Sequence, residues 1–124
     1  MNILLVMLGG AIGSAARFGV GKLTLGWFGP GYPWGTLTVN LVGGVLMGLL
    51  VGVLARASAP HEPWRLFAAI GVLGGFTTFS SFALDTANML TRGDWAAAAG
   101  YMLLSVAGAV LGVFAGLGLV RALA

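Results

Sequence analysis

The chain contains no cysteine and little charge. Only 7% of its 124 residues are Asp, Glu, Lys or Arg, against roughly a quarter in soluble domains. Without cysteine there can be no disulfide framework, thiolate metal site or cysteine nucleophile, so cysteine usage leaves the redox compartment open. The six Lys and Arg residues are scattered and give a net charge of +3, with none of the basic runs that track a phosphate backbone. Nucleic acid is therefore not an expected partner.

Apolar sequence fills the rest, with 59% of residues hydrophobic. A hydrocarbon core of about 30 Å takes roughly 20 apolar residues per helix. Four segments meet that requirement, at about 3–25, 35–55, 66–90 and 96–120. The N-terminal MNILLVMLGGAIG has no positive region ahead of its apolar run, so it reads as an uncleaved first span. All four prolines and all four tryptophans fall in the intervals GWFGPGYPW, RASAPHEPWR and TRGDW. Tryptophan favours the membrane interface, which supports these boundaries. The expected fold is a single all-α membrane domain of four transmembrane helices.

Positive charge does little to orient it. Both termini and the second loop share one side, with Arg56, Arg65 and Arg121. The other side has Lys22 and Arg92, and gains Arg17 if that side chain snorkels outward. So small a bias is compatible with insertion in both orientations, and hence with an antiparallel dimer. Four thin helices also enclose little interior, so mid-membrane polar groups need a second subunit to cover them. Gly44, Gly48 and Gly52 form one small-residue ridge, and Gly108, Gly112 and Gly116 another; at least one is expected to pack helices within a subunit.

Polar residues inside the spans are few, and each asks for a reason. Asn40 can serve as interhelical glue or as a functional donor. Tyr101 and Ser105 lie four apart and share a helix face. Residues 74–82, GGFTTFSSF, place Gly74 and Gly75 before Thr77 and Thr78, a combination that predicts a break in the third helix. Non-helical backbone at membrane depth persists only where it is buried in protein or lines a cavity, and its freed carbonyls can coordinate a small cation such as Na⁺. Phe79 and Phe82 share a face, with Ser80 and Ser81 beside them. Asn40, Ser80, Ser81, Tyr101 and Ser105 can all donate hydrogen bonds, and aromatic rings have positive edges. Such a lining suits a small anion. Asp85, the one acid within a span, reads as a cap or as a partner for a nearby donor. Arg17, with Lys22 near it, reads as a snorkelling anchor or as an electropositive funnel for anions.

Other patterns fail on inspection. GVGKLT at 19–24 lacks the Gly at 16 and the Ser or Thr at 23 that a phosphate loop requires. His61 and Glu62 have no further ligands near them in sequence, and no nucleophile and base pair stands out. The protein is not expected to be an enzyme.

GGAIGSAAR in the first span, GTLTVN in the second and GVLGGFTTFSSF in the third resemble the Fluc, or CrcB, fluoride channels along essentially the whole chain. The resemblance implies an antiparallel dual-topology homodimer in the plasma membrane, the inner membrane of a Gram-negative cell, with passive export of fluoride that limits its toxicity. It places the pore aromatics on Phe79 and Phe82, the pore asparagine on Asn40, and a polar track on Tyr101 and Ser105, with Ser80 and Ser81 near the same path. It places a structural sodium ion on the backbone carbonyls of Gly74 and Thr77, and Arg17 at the pore mouth. Ala109 stands where some members continue the track with a hydroxyl, and Phe18 where tyrosine is frequent. A coupled exporter of the small multidrug type shares the length and the span number, but it depends on a glutamate in the first span that is lacking here. A non-transporting packing subunit would leave the donors around Phe79 idle.

Overall fold

A computed structural model describes residues 2–58 and 60–123. It contains five helices and, among the described residues, no strand: α1 (Asn2–Phe28), α2 (Trp34–Arg56), α3 (residues 62–76), α4 (Phe79–Thr91) and α5 (Trp95–Leu123). Four runs are long and apolar enough to cross a membrane, because α3 and α4 together make one, Glu62–Thr91. The 27 residues of α1 extend about 40 Å at the helical rise, so their ends reach past the hydrocarbon into the interface.

Two of the turns depend on left-handed backbone. Gly29 (φ 75°) ends α1 and Gly93 (φ 84°) follows α4. At the second, the Gly93 and Asp94 N–H groups donate to the Leu90 and Met89 carbonyls at 3.1 and 2.9 Å. Those bonds satisfy carbonyls that the end of the helix leaves open.

Packing follows small residues. The most extensive contact is between α2 and α5, where the two glycine ridges interlock. A Cβ on Gly44 would lie 2.5 Å from the Ala109 carbonyl oxygen, one on Gly48 would strike the Val113 carbonyl, and one on Gly116 would lie 2.6 Å from the Leu49 nitrogen. Both ridges are thus used within one chain. A second glycine seam joins α1 to α3: a Cβ on Gly71 would lie 2.9 Å from the Gly9 Cα, and one on Gly75 would lie 2.6 Å from the Gly10 oxygen. Along this seam α3 loosens to π-helical winding over Arg65–Leu73.

The helix α4 is held differently. Its buried face, Phe82 and Met89, joins Leu37, Ala98 and Tyr101 in the core cluster, with Tyr32 and Leu41 against it. Rings run from the break toward the first loop: Phe79 to Phe82 at 5.6 Å, Phe82 to Tyr101 at 5.2 Å, and Tyr101 to Tyr32 at 5.7 Å. Most large apolar side chains elsewhere point outward. In a bilayer that surface faces lipid or another protein.

Candidate functional site

The third span breaks where the glycines and threonines predict. Thr77 (φ −81°, ψ 160°) and Thr78 (φ −151°, ψ 119°) are extended, so the helical hydrogen-bond ladder stops at Phe76 and restarts at Phe79. Interrupting a ladder inside a membrane strands N–H and C=O groups that lipid cannot satisfy. Side chains from other helices meet that need here.

Asn40 on α2 pairs with both backbone groups of Thr78. Its Oδ1 accepts the Thr78 N–H at 2.8 Å, and its Nδ2 donates to the Thr78 carbonyl at 2.9 Å. The carboxamide thus stands in for a neighbouring peptide group. One N–H of Nδ2 remains beyond these two bonds. Arg17 on α1 reaches the same region, its Nε donating to the Gly75 carbonyl at 3.0 Å. Arg17 thereby caps the end of α3. Thr77 Oγ1 donates to the Leu73 carbonyl at 3.0 Å, and Thr78 Oγ1 accepts the Ser81 N–H at 3.1 Å, forming the N-cap of α4.

Asn40, Phe79, Phe82 and Ser105 line one cleft of about 410 Å³ together with Thr77 and Thr78. Phe82 is buried while Phe79 is 77% exposed, so the pair passes from the chain's interior to its surface. Ser105 is 5% exposed, and its Oγ has no hydrogen-bond partner among the described residues. Ala109, at the position of a departure from the family's polar track, lines the same cleft without a polar side chain. The second departure, Phe18, is exposed, with the Lys22 ammonium 5.4 Å from its ring centroid.

Other residues named from sequence lie elsewhere. Ser81 borders a second cleft with Arg17, Lys22, Thr36 and Thr78. Ser80 is exposed, its hydroxyl 3.4 Å from that of Thr78. Tyr101 is fully buried and donates its hydroxyl to Asp85 Oδ2 at 2.9 Å, which gives Asp85 the nearby donor expected for it. Gly74 is exposed and Thr77 half-buried. The sequence marks Thr78 only as part of the break, yet the bonds from Asn40 and the cap of α4 all converge on it. A threonine immediately ahead of an apolar helical run is a capping signal that could have marked it.

The family model for CrcB-like, camphor resistance (CrcB) proteins matches residues 4–117. The chain belongs to the CrcB family. It is 51% identical over 124 residues to the "Fluoride-specific ion channel FluC" of Sphingopyxis alaskensis, covering 99% of this chain and 98% of that one. The protein of the same name from Phenylobacterium zucineum is 52% identical over 120 residues, covering 96% and 94% of the two chains. "Fluoride-specific ion channel FluC 2" of Nitrobacter hamburgensis is 50% identical over 121 residues, covering 98% of each. CrcB membership and four apolar helices make the chain a multi-pass integral membrane protein. The family match reaches into all four apolar runs.

Proposed function

We propose that this protein is a fluoride-selective channel through which fluoride leaves the cell passively, working as an antiparallel dual-topology homodimer. The names of its half-identical relatives support the ion. The observation that carries the reading is the Ser105 hydroxyl, buried without a partner beside Asn40, Phe79 and Phe82. A buried hydroxyl left unpaired costs about 1–3 kcal/mol, so this donor favours an acceptor that enters the cleft. The remaining Asn40 N–H and the positive ring edges add further attraction for an anion. Fluoride is the smallest halide and the strongest hydrogen-bond acceptor among them. Chloride is larger and accepts more weakly, so a narrow donor-lined path replaces its hydration less well.

Two surface features support a second copy of the chain. Phe79 and Gly74 both lie open at membrane depth on the outside of this chain, where an antiparallel partner would cover them. The near-balanced positive charge is compatible with both orientations. A structural sodium ion would be held by the Gly74 and Thr77 carbonyls, which the break releases from helical pairing, and it would supply charge that joins two copies at their centre.

Efflux from liposomes tests the reading. Purified protein should release fluoride rapidly and retain chloride, and the Phe79→Ile variant should slow fluoride while remaining a dimer. Equal release of both ions removes the selectivity, and release of neither removes the channel.

A further inference from the structure

Resting on the sodium reading above, we infer that the side chains of Asn40 and Thr78 create the cation site by diverting the two N–H groups that a continuous helix would give to the Gly74 and Thr77 carbonyls. In an uninterrupted α-helix each N–H pairs with the carbonyl four residues earlier. The Gly74 carbonyl would then receive the Thr78 N–H, and the Thr77 carbonyl the Ser81 N–H. Neither pairing forms. The Thr78 N–H goes to Asn40 Oδ1 at 2.8 Å, and the Ser81 N–H goes to Thr78 Oγ1 at 3.1 Å.

Neighbouring carbonyls are treated in the opposite way. Leu73 O accepts both the N–H and the hydroxyl of Thr77, each at 3.0 Å. Gly75 O accepts from Arg17 at 3.0 Å, and Thr78 O accepts from Asn40 at 2.9 Å. The Gly74 and Thr77 carbonyls have lost their helical donors to side chains, while these three have gained donors from them. A carbonyl without a donor inside a membrane is under-solvated and attracts a small hard cation. The presence of Na⁺ ligands at this break therefore depends on two side chains that need not touch the ion, Asn40 from α2 and Thr78 within the break. These are positioning residues.

Thr78 gives the cleaner test, because its variants keep the charge and nearly the shape of the site. Without Oγ1, the Ser81 N–H is free to return to the Thr77 carbonyl, its partner in a continuous helix, and pairing there takes away one ligand. The thermal midpoint of the full-length protein in detergent is followed while N-methyl-D-glucamine chloride is replaced by sodium chloride at constant ionic strength. The Thr78→Val variant should need about tenfold more Na⁺ for half its stabilisation, the equivalent of one net hydrogen bond. Thr78→Ser and Thr78→Asn, which can still cap the helix, should keep the midpoint of the parent. So should Thr86→Val, whose hydroxyl bonds the Phe82 carbonyl away from the break. Thr78→Ala should behave as Thr78→Val does, and serves if the valine variant is not recovered.

A sodium midpoint in the valine or alanine variant equal to that of the parent overturns the inference while leaving the cation itself in place. If the parent is stabilised no more by sodium than by N-methyl-D-glucamine, the sodium reading falls and the inference falls with it, whereas the fluoride reading stands or falls on liposome efflux.

Discussion

The seam between α2 and α5 and the break between α3 and α4 both bury main chain in a membrane, by opposite means. Along the seam, glycines remove side chains altogether. Carbonyls of one helix meet the Cα atoms of the other, at Gly44, Gly48, Gly112 and Gly116, while each ladder of helical hydrogen bonds runs on uninterrupted. At the break the ladder is cut, and side chains from α1, α2 and the break itself replace the lost pairings. The seam gains close dispersion contact and asks nothing of polar chemistry. The break gives up regular pairing and gains unpaired carbonyls and donors at membrane depth. One region supplies rigidity, and the other supplies groups that can meet an ion.

The strongest way to break this contrast is to add volume to the seam. Gly48→Val would drive a Cβ into the Val113 carbonyl and to 3.0 Å from the Leu117 nitrogen. Both obstacles are main chain, so neither can swing aside, and the helices must separate. Overpacking of this kind costs about 3 kcal/mol, and recovery of monodisperse protein by gel filtration should collapse. Gly118→Val on α5, with nothing within 4 Å, should be recovered almost as well as the parent. Equal behaviour of the two variants would show that the seam is looser than its geometry implies.

Next in size is a change at the break. Asn40→Asp keeps the volume but replaces the donor facing the Thr78 carbonyl, 2.9 Å away, with an acceptor. Two acceptors at that distance repel, and an ionised aspartate inside a span costs up to about 3 kcal/mol. Folded protein should still be recovered, because the seam does not involve Asn40, while fluoride efflux from liposomes should fall by about tenfold or more, the effect of losing at least one net hydrogen bond. If efflux is kept and recovery lost, the roles assigned to the two regions must be exchanged.

Much of this architecture is legible in the sequence because its signals are local. Span length, prolines and tryptophans at span ends, and the Gly-Gly-Phe-Thr-Thr break each need only a short window of residues. The resemblance of GGFTTFSSF to one family adds what local signals cannot, the grouping of Asn40 and Ser105 with the two phenylalanines around one cleft. What remained hidden depends on which helices are neighbours. That the two ridges face each other, and that Gly9 meets Gly71 while Gly10 meets Gly75, are facts about pairs of helices. The role of Arg17 was illegible for the same reason: the Gly75 carbonyl that it caps lies 58 positions away in the chain.

The smallest effect should come from the polar contact that joins α4 to α5. The Tyr101 hydroxyl on α5 donates to Asp85 on α4 at 2.9 Å, tying the half-helix after the break to the helix that forms the seam. Its ring also packs 5.2 Å from that of Phe82, and Tyr101→Phe keeps that packing while deleting the bond. Hydrogen bonds between membrane helices contribute about 0.6 kcal/mol on average and at most about 1.7. The upper half of that range fits here, because Tyr101 is fully buried and water cannot replace the lost partner. A double-mutant cycle with Asp85→Leu, which has no acceptor, read by thermal unfolding in detergent, isolates this contact from the ring packing that Tyr101→Phe retains. The expected coupling is about 1 kcal/mol. A value near zero would mean that α4 is held to α5 by its ring contacts alone, leaving the clamps on Thr78 and Gly75 to fix the break without help from its far end.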